Sequence, residues 1–382
     1  MVEVAFPKAN AYSESIIGYW IFAIEELVAI AIGLGLTALG LGSAAWILGG
    51  IGAGALVFYG YRILGNFSIQ PNRRARKVGQ IIIGLTIGLS LQQSNLTVFS
   101  SHWLFLLGLP LFLLISGGLI GGIYSRIEKT DLLTAMLATS PGNIGVMASM
   151  AADYSKSASL VSLVQLMRFT SVILVMPMIA NRAIAHSTHP SFKELLNSLL
   201  TLQISQLSLP CLVLAVTSLA VYLAGKLKIP VAGFFCAIAI GLVFDILPFL
   251  FPPLASFDFR LPPLFNIVGQ VLLGITIGEY WGINPKLKGS TVTNAVIPVS
   301  LMFGVTFLAA AGARLLTSWD WLTCLLIAAP GGSPEMIWIA LTLNHNVEII
   351  TAGHLIRLLI INLSLPGLIS VACYLDRESE SI

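Results

Sequence analysis

Val78-Gly79-Gln80-Ile81-Ile82-Ile83-Gly84-Leu85-Thr86-Ile87-Gly88 recurs in the same chain as Val268-Gly269-Gln270-Val271-Leu272-Leu273-Gly274-Ile275-Thr276-Ile277-Gly278, 190 residues on. The pairing extends outward. Asp131-x-Leu133-Thr134 returns as Asp320-x-Leu322-Thr323 at an offset of 189. At that offset Pro141-Gly142 meets Pro330-Gly331, Met147 meets Met336, Arg168 meets Arg357 and Pro177 meets Pro366. Upstream, Pro110 pairs with Pro298 at an offset of 188. Apolar residues match easily by chance, but polar and punctuating residues in conserved order do not. The chain reads as two homologous repeats, 1–190 and 191–382, divided in the polar stretch 182–197.

The solvent of these repeats follows from their composition. Only 10% of the 382 residues are charged and 57% are hydrophobic, against about 25% charged in a soluble domain. Mean hydropathy is +0.91. Twelve apolar runs lie near 17–38, 43–63, 78–92, 100–125, 132–151, 159–181, 203–225, 229–250, 264–281, 291–316, 321–343 and 348–375. They are far longer than the roughly ten-residue alternating strands of a membrane barrel. The expected fold is all-α: a polytopic membrane protein of about 10–12 spans, each needing about 20 apolar residues. Six crossings per half would make the repeats parallel, whereas five and a re-entrant segment would invert them. Arg73, Arg74, Arg76 and Lys77 mark one cytoplasmic loop, and Lys226, Lys228, Lys286 and Lys288 fall in the loops flanking its counterpart. That exchange of sides favours inversion.

Several function classes fall away. The polar stretches are too short to fold as a separate domain, and a net charge of +3 without a basic stripe argues against nucleic acid. Cys211, Cys236, Cys324 and Cys373 stand apart, so neither a disulfide framework nor a metal site is expected. The five histidines are dispersed, and Walker, metal-binding and nucleophile-elbow motifs are missing, so neither enzyme nor cofactor is expected. Glu25 and Glu26 break up the first apolar run, so no cleavable signal is expected. They lack repeat counterparts and read as an interfacial or partner-facing feature. The bilayer is the expected environment, and a homodimer is compatible with the sequence.

The paired Pro-Gly sites are the strongest functional candidates. Proline removes a helical hydrogen bond and glycine admits non-helical dihedrals, so Pro141-Gly142-Asn143 and Pro330-Gly331-Gly332 should unwind their runs near the middle. Matching breaks in two repeats point to a transporter's substrate site, with a packed kink as the alternative. Glu335, where the first half has Val146, is a candidate proton, cation or amine site, or the partner of an arginine in its own half. Arg168 and Arg357 each follow their Pro-Gly by 27 residues. They would bind an anionic ligand or hold carbonyls freed at the breaks. Gln165 and His354 share their helix faces. Gln80 and Gln270, with Thr86 and Thr276, are either site residues or packing polar groups.

With its P-G-x-x-x-x-M…R pattern in both halves, the chain resembles the AbrB family of duplicated bacterial integral membrane proteins, whose members often carry an ammonia monooxygenase label. The resemblance spans nearly the whole chain and is closer in the second copy, Pro330-Gly331-Gly332-x-x-Glu335-Met336. The first copy departs from it at Asn143 and Val146. The resemblance implies a polytopic bacterial inner-membrane protein tied to regulation of gene expression. It does not extend to the small soluble DNA-binding AbrB of bacilli, a namesake. With no DNA-binding element expected, a regulatory effect would be indirect. A secondary transporter is the favoured reading, ahead of a membrane sensor and then of a membrane enzyme.

Overall fold

The computed structural model describes residues 11–39, 44–65, 71–91, 97–154, 156–183, 208–226, 232–251, 253, 259–282, 289–343 and 345–380. The stretch 184–207 that divides the repeats, and Lys228, Lys286 and Lys288, lie outside them. The described residues form helices and no strand. In the first half these are α1 (Ala11–Ala38), α2 (Ala45–Gly65), α3 (Arg73–Gly88), α4 (Thr97–Glu128), α5 (Leu132–Thr139), α6 (Ile144–Asp153) and α7 (Ala158–Ala183). In the second they are α8 (Ser208–Lys226), α9 (Ala232–Leu250), α10 (Pro263–Gly282), α11 (Gly289–Leu316), α12 (Trp321–Ala328), α13 (Ser333–Thr342) and α14 (Val347–Glu380).

Six helices, α1, α4, α7, α8, α11 and α14, are long and apolar enough to cross a bilayer, while apolar stretches of α2 and α9 are shorter. The count falls below 10–12 partly because the runs at 132–151 and 321–343 are each split into helices of 8 and 10 residues. At 1.5 Å per residue these pieces reach only about 12–15 Å, half a hydrocarbon core. The long helices carry large apolar side chains outward, including Leu27, Leu104, Leu119, Leu315 and Leu363. Such a surface suits lipid and not water. Of the short helices, α5 and α12 lie inside: Leu133, Leu137, Cys324, Leu325 and Leu326 are fully buried.

Packing interlocks the halves. Helix α2 packs along α10, and α3 along α9 and α10. Pairing α2 with α9 and α3 with α10 by their place in the repeat, the α2–α10 contact exchanges with α9–α3. Glycine permits the close approach. A Cβ added at Gly50 would fall 2.6 Å from the Val271 carbonyl, and one at Gly84 would fall 2.8 Å from that of Phe234. Glycines of the repeated segments 78–88 and 268–278, with Gly50, therefore lie at the seam where these helices meet.

Each pair of short helices is closed at its base. The Asp-x-Leu-Thr motif supplies the N-caps: Asp131 accepts from the Thr134 N–H at 2.8 Å, and Asp320 from the Leu322 and Thr323 N–H groups at 2.9 and 3.1 Å. Lys156, after α6, reaches Asp131 at 3.4 Å. His345 Nε2 lies 2.8 Å from Asp320, and the Asn346 amide donates to Thr323 Oγ1 at 2.7 Å. Entry and exit of each unit are thus side by side, so α5–α6 and α12–α13 are hairpins that return to the side they came from. Asp376 near the end of α14 adds bonds to the Leu132 and Leu133 N–H groups at 2.8 and 3.2 Å. Hydrogen bonds to Thr134 and charge from Lys156 hold the Asp131 carboxyl below its ordinary range despite burial, which opposes them. Asp320, likewise opposed by burial, is pulled to about 2 by bonds from Thr323 and His345.

Candidate functional site

The hairpin tips are where the helices stop. Residues 140–143 and 329–332 separate the two helices of each hairpin. Ser140 and Ala329 take extended or near-extended dihedrals as C-caps, and each accepts the N–H of the residue two further on, Gly142 at 2.8 Å and Gly331 at 2.9 Å. Gly332 caps α13 with φ 66° and ψ 44°, a left-handed conformation that costs an L side chain about 1–2 kcal/mol. Carbonyls at the ends of α5 and α12 are thereby left inside the protein at hairpin depth and need donors.

The arginines supply them. Arg168, 1% exposed, donates to the Ser140 carbonyl at 2.7 Å, the Gly142 carbonyl at 3.1 Å and Gln165 Oε1 at 2.7 Å. Gln165 in turn donates to the Leu137 and Ser140 carbonyls at 2.8 and 2.9 Å. Arg357, 2% exposed, donates to the Ala329 carbonyl and, at 3.0 Å, to Ser333 Oγ. His354 Nε2 bonds the Leu326 carbonyl at 3.0 Å. A carbonyl only accepts, so Nε2 carries the proton. Shifted by 189, Leu137 becomes Leu326, Ser140 becomes Ala329, Gln165 becomes His354 and Arg168 becomes Arg357. The bonds of one hairpin thus have counterparts at matched positions of the other. Tying the freed carbonyls is what the guanidinium ends do. Both Nε atoms are buried without a hydrogen-bond partner.

The two tips meet. A cavity of about 90 Å³ is lined by Pro141, Gly142 and Asn143 from one and by Gly331, Gly332 and Ser333 from the other. Arg168 and Arg357 form part of its wall, and a Cβ at Gly331 would sit 3.5 Å from Arg168 Nε, so the first half's arginine faces the second half's tip. Liquid water occupies about 30 Å³ per molecule, so the space suits a few waters or a small polar group. Glu335, in the first turn of α13, lines it with Oε2 buried and unpartnered. Among the described residues the ion pairs are Lys156–Asp131 and His345–Asp320. Glu335 therefore has no arginine partner of its own half, and neither buried guanidinium is paired with a carboxylate.

Sequence-selected residues divide as follows. Gln80 and Thr276 line the cavity. Gln270 does not; it lines a smaller space of about 20 Å³ that Glu335 also touches. Pro330 is buried behind its tip and is not part of the cavity wall. Thr86 bonds the Ile82 carbonyl and Asn266 Oδ1 at 2.9 and 2.6 Å, a packing role.

Two expectations are corrected. Arg76 is not a loop charge. Asn72 caps α3 through the Ala75 N–H at 3.1 Å, so the helix starts within the basic run, and Arg76 enters the cavity wall. There it donates to the Tyr280 hydroxyl at 3.4 Å. Tyr280 lines the cavity as well, a residue sequence reasoning missed since it follows the repeat without a counterpart motif. Glu25 is not interfacial. Helix α1 lies on α2 and α10, and the face holding Ile21, Glu25 and Ala29 is buried.

Known proteins share much of this sequence. The family model described as "Transition state regulatory protein AbrB" matches residues 46–372. The chain is 29% identical over 323 residues to "Uncharacterized protein YhjN" of Bacillus subtilis (strain 168), covering 81% of each. It is 28% identical over 127 residues to "Putative regulator AbrB" of Escherichia coli (strain K12), covering 32% of this chain and 36% of that one. With both hairpins and the arginines that bond their tips inside the matched span, the chain belongs to the AbrB family, and its apolar helices make it one of the membrane type.

Proposed function

We propose that this protein is a secondary transporter of a small organic anion in the bacterial plasma membrane, with its substrate site at the meeting of the two hairpin tips. One observation carries the reading: non-helical backbone from both hairpin tips converges on one cavity whose wall includes Arg168, Arg357 and Glu335, and matching helix breaks that meet at one space are how transporters build a substrate site. The ligand's sign follows from charge. Two buried guanidiniums without carboxylate partners leave positive charge at the tips. The N-termini of α6 and α13 add the positive ends of their dipoles, and α13 has no side-chain cap. An anion answers both. Glu335 opposes it when ionised and permits it when protonated, which favours uptake of the anion together with a proton.

Topology supports alternating access. On this reading the shorter α2 and α3 cross together with the long α1, α4 and α7, which makes five crossings, and the hairpin adds none. The second half then starts on the opposite side, and the repeats are inverted. Cysteines placed near Lys77 and Lys286 should both label from the cytoplasm. A second reading, a sensor that binds the same ligand without moving it, is favoured by the regulatory description of the family and the name of the Escherichia coli relative. Influence on gene expression is then indirect in either case.

Liposomes holding the purified chain decide between these. Radiolabelled acetate, lactate and succinate, tested by counterflow, should include a solute taken up saturably and lost in Arg357→Met. Carboxylates that raise the melting temperature without moving would favour the sensor. Stabilisation by methylammonium, and by none of the anions, would overturn the anion site.

A further inference from the structure

A second set of buried acids lies away from the tips. Glu25 in α1 is 0% exposed and Glu279 in α10 is 3% exposed, and the two line one groove where α1 packs against α10. Glu279 Oε2 accepts the Asn72 N–H at 2.7 Å, an interaction that suits a carboxylate. Glu25 is different: both its oxygens are buried and neither has a hydrogen-bond partner among the described residues. They face a groove that both acids line, together with Phe22 and Phe58 and, at its mouth, Arg73 and Arg74.

Neither acid has an ion pair to Arg73 or Arg74 among the described residues, and two unpaired carboxylates side by side inside a membrane domain cannot both keep their charge unless a cation binds them. A sodium ion needs several oxygen ligands. Here the other neighbours are the Asn72 N–H, which donates, aromatic rings, and two arginines that repel a metal ion. A proton requires only the pair itself: Glu25 as the acid, donating to a Glu279 carboxylate already held by Asn72. We propose that Glu25 and Glu279 form a proton-binding site, separate from the central cavity, in which one proton bridges an acid of the first half and an acid of the second. The proton comes from water in the groove and leaves the same way, and no other bond changes. Its loss puts like charges between α1 and α10, so occupancy is linked to how closely the two helices pack. The charged and titratable groups facing the pair are Glu26 and Tyr19 on α1 and Arg73 and Arg74 at the start of α3; α2 contributes Phe58.

The site is independent of the transport reading and is tested without a substrate. Dicyclohexylcarbodiimide reacts with protonated carboxyls in apolar surroundings, and peptide mapping locates the adduct. In the purified full chain at neutral pH, Glu25 or Glu279 should be labelled, to at most one adduct per pair, and labelling should fall at alkaline pH. Infrared spectra should contain a protonated-carboxyl band that loses one carboxyl per chain in Glu25→Gln and in Glu279→Gln, since each amide donates in the proton's place, but not in Glu128→Gln. Mapping the wild-type protein needs no variant, so misfolding of either variant leaves that arm intact. Absence of labelling at both acids overturns the proposal. Protection by sodium chloride, and not by choline chloride at the same pH, would reassign the site to a metal cation and overturn it too.

Discussion

Replacing Arg168 with lysine separates charge from geometry at the first hairpin tip. The guanidinium makes three bonds, to the Ser140 and Gly142 carbonyls and to Gln165, at 2.7, 3.1 and 2.7 Å. An ammonium on a shorter stem retains the charge but not the planar fork, and one bond is the most it is expected to keep. Hydrogen bonds to charged groups contribute about 1.5–3 kcal/mol each. Losing two at the lower figure costs about 3 kcal/mol, or roughly 100-fold in a local opening equilibrium. The penalty is local because Arg357 holds the other tip independently. Hydrogen exchange read by mass spectrometry should therefore lose roughly 100-fold protection in peptides covering 138–147, with 327–336 nearly unchanged. Wild-type protection in the variant, or an equal loss in both hairpins, would refute the assignment of Arg168 as the residue that secures its own tip.

Three further outcomes follow from the geometry. Glu335→Gln keeps shape and hydrogen-bonding capacity, so folding should survive while the pH dependence of carboxylate binding disappears; binding that still varies with pH as in the wild type would return Glu335 to a structural role. Asp320 sits at about 2 against an ordinary 3.8, so its contribution is complete above the ordinary value and fades as pH falls toward 2. With the side chain 42% exposed, the full linkage is discounted to about 1 kcal/mol; thermal unfolding of Asp320→Asn should show that deficit at pH 7, narrowing progressively in acid. Gly332→Ala places a Cβ at φ 66° and 3.2 Å from Glu335 Oε2, so a stability loss of about 1–2 kcal/mol should accompany weaker ligand binding, and a neutral result in both would contradict the left-handed cap.

Charge scarcity and the length of the apolar runs determined the solvent and the helical class, since both are sums over neighbouring residues. Pro141-Gly142 and Pro330-Gly331 announced the helix ends because a missing N–H and a permissive dihedral are properties of the residues themselves. Arg168 and Arg357 were legible as groups needing partners, since burial of a guanidinium is costly wherever it occurs. What they bond, and that each hairpin returns at Asp131–Lys156 or Asp320–His345 instead of crossing, depended on tertiary structure. So did the meeting of the tips, the entry of Arg76 and Tyr280 into the cavity, and the burial of Glu25 against Glu279. The reason is physical. A helix in lipid is apolar all round, so no polar stripe marks which face turns inward. The Asn72–Glu279 bond joins residues 207 apart, and no local pattern in either segment encodes the other.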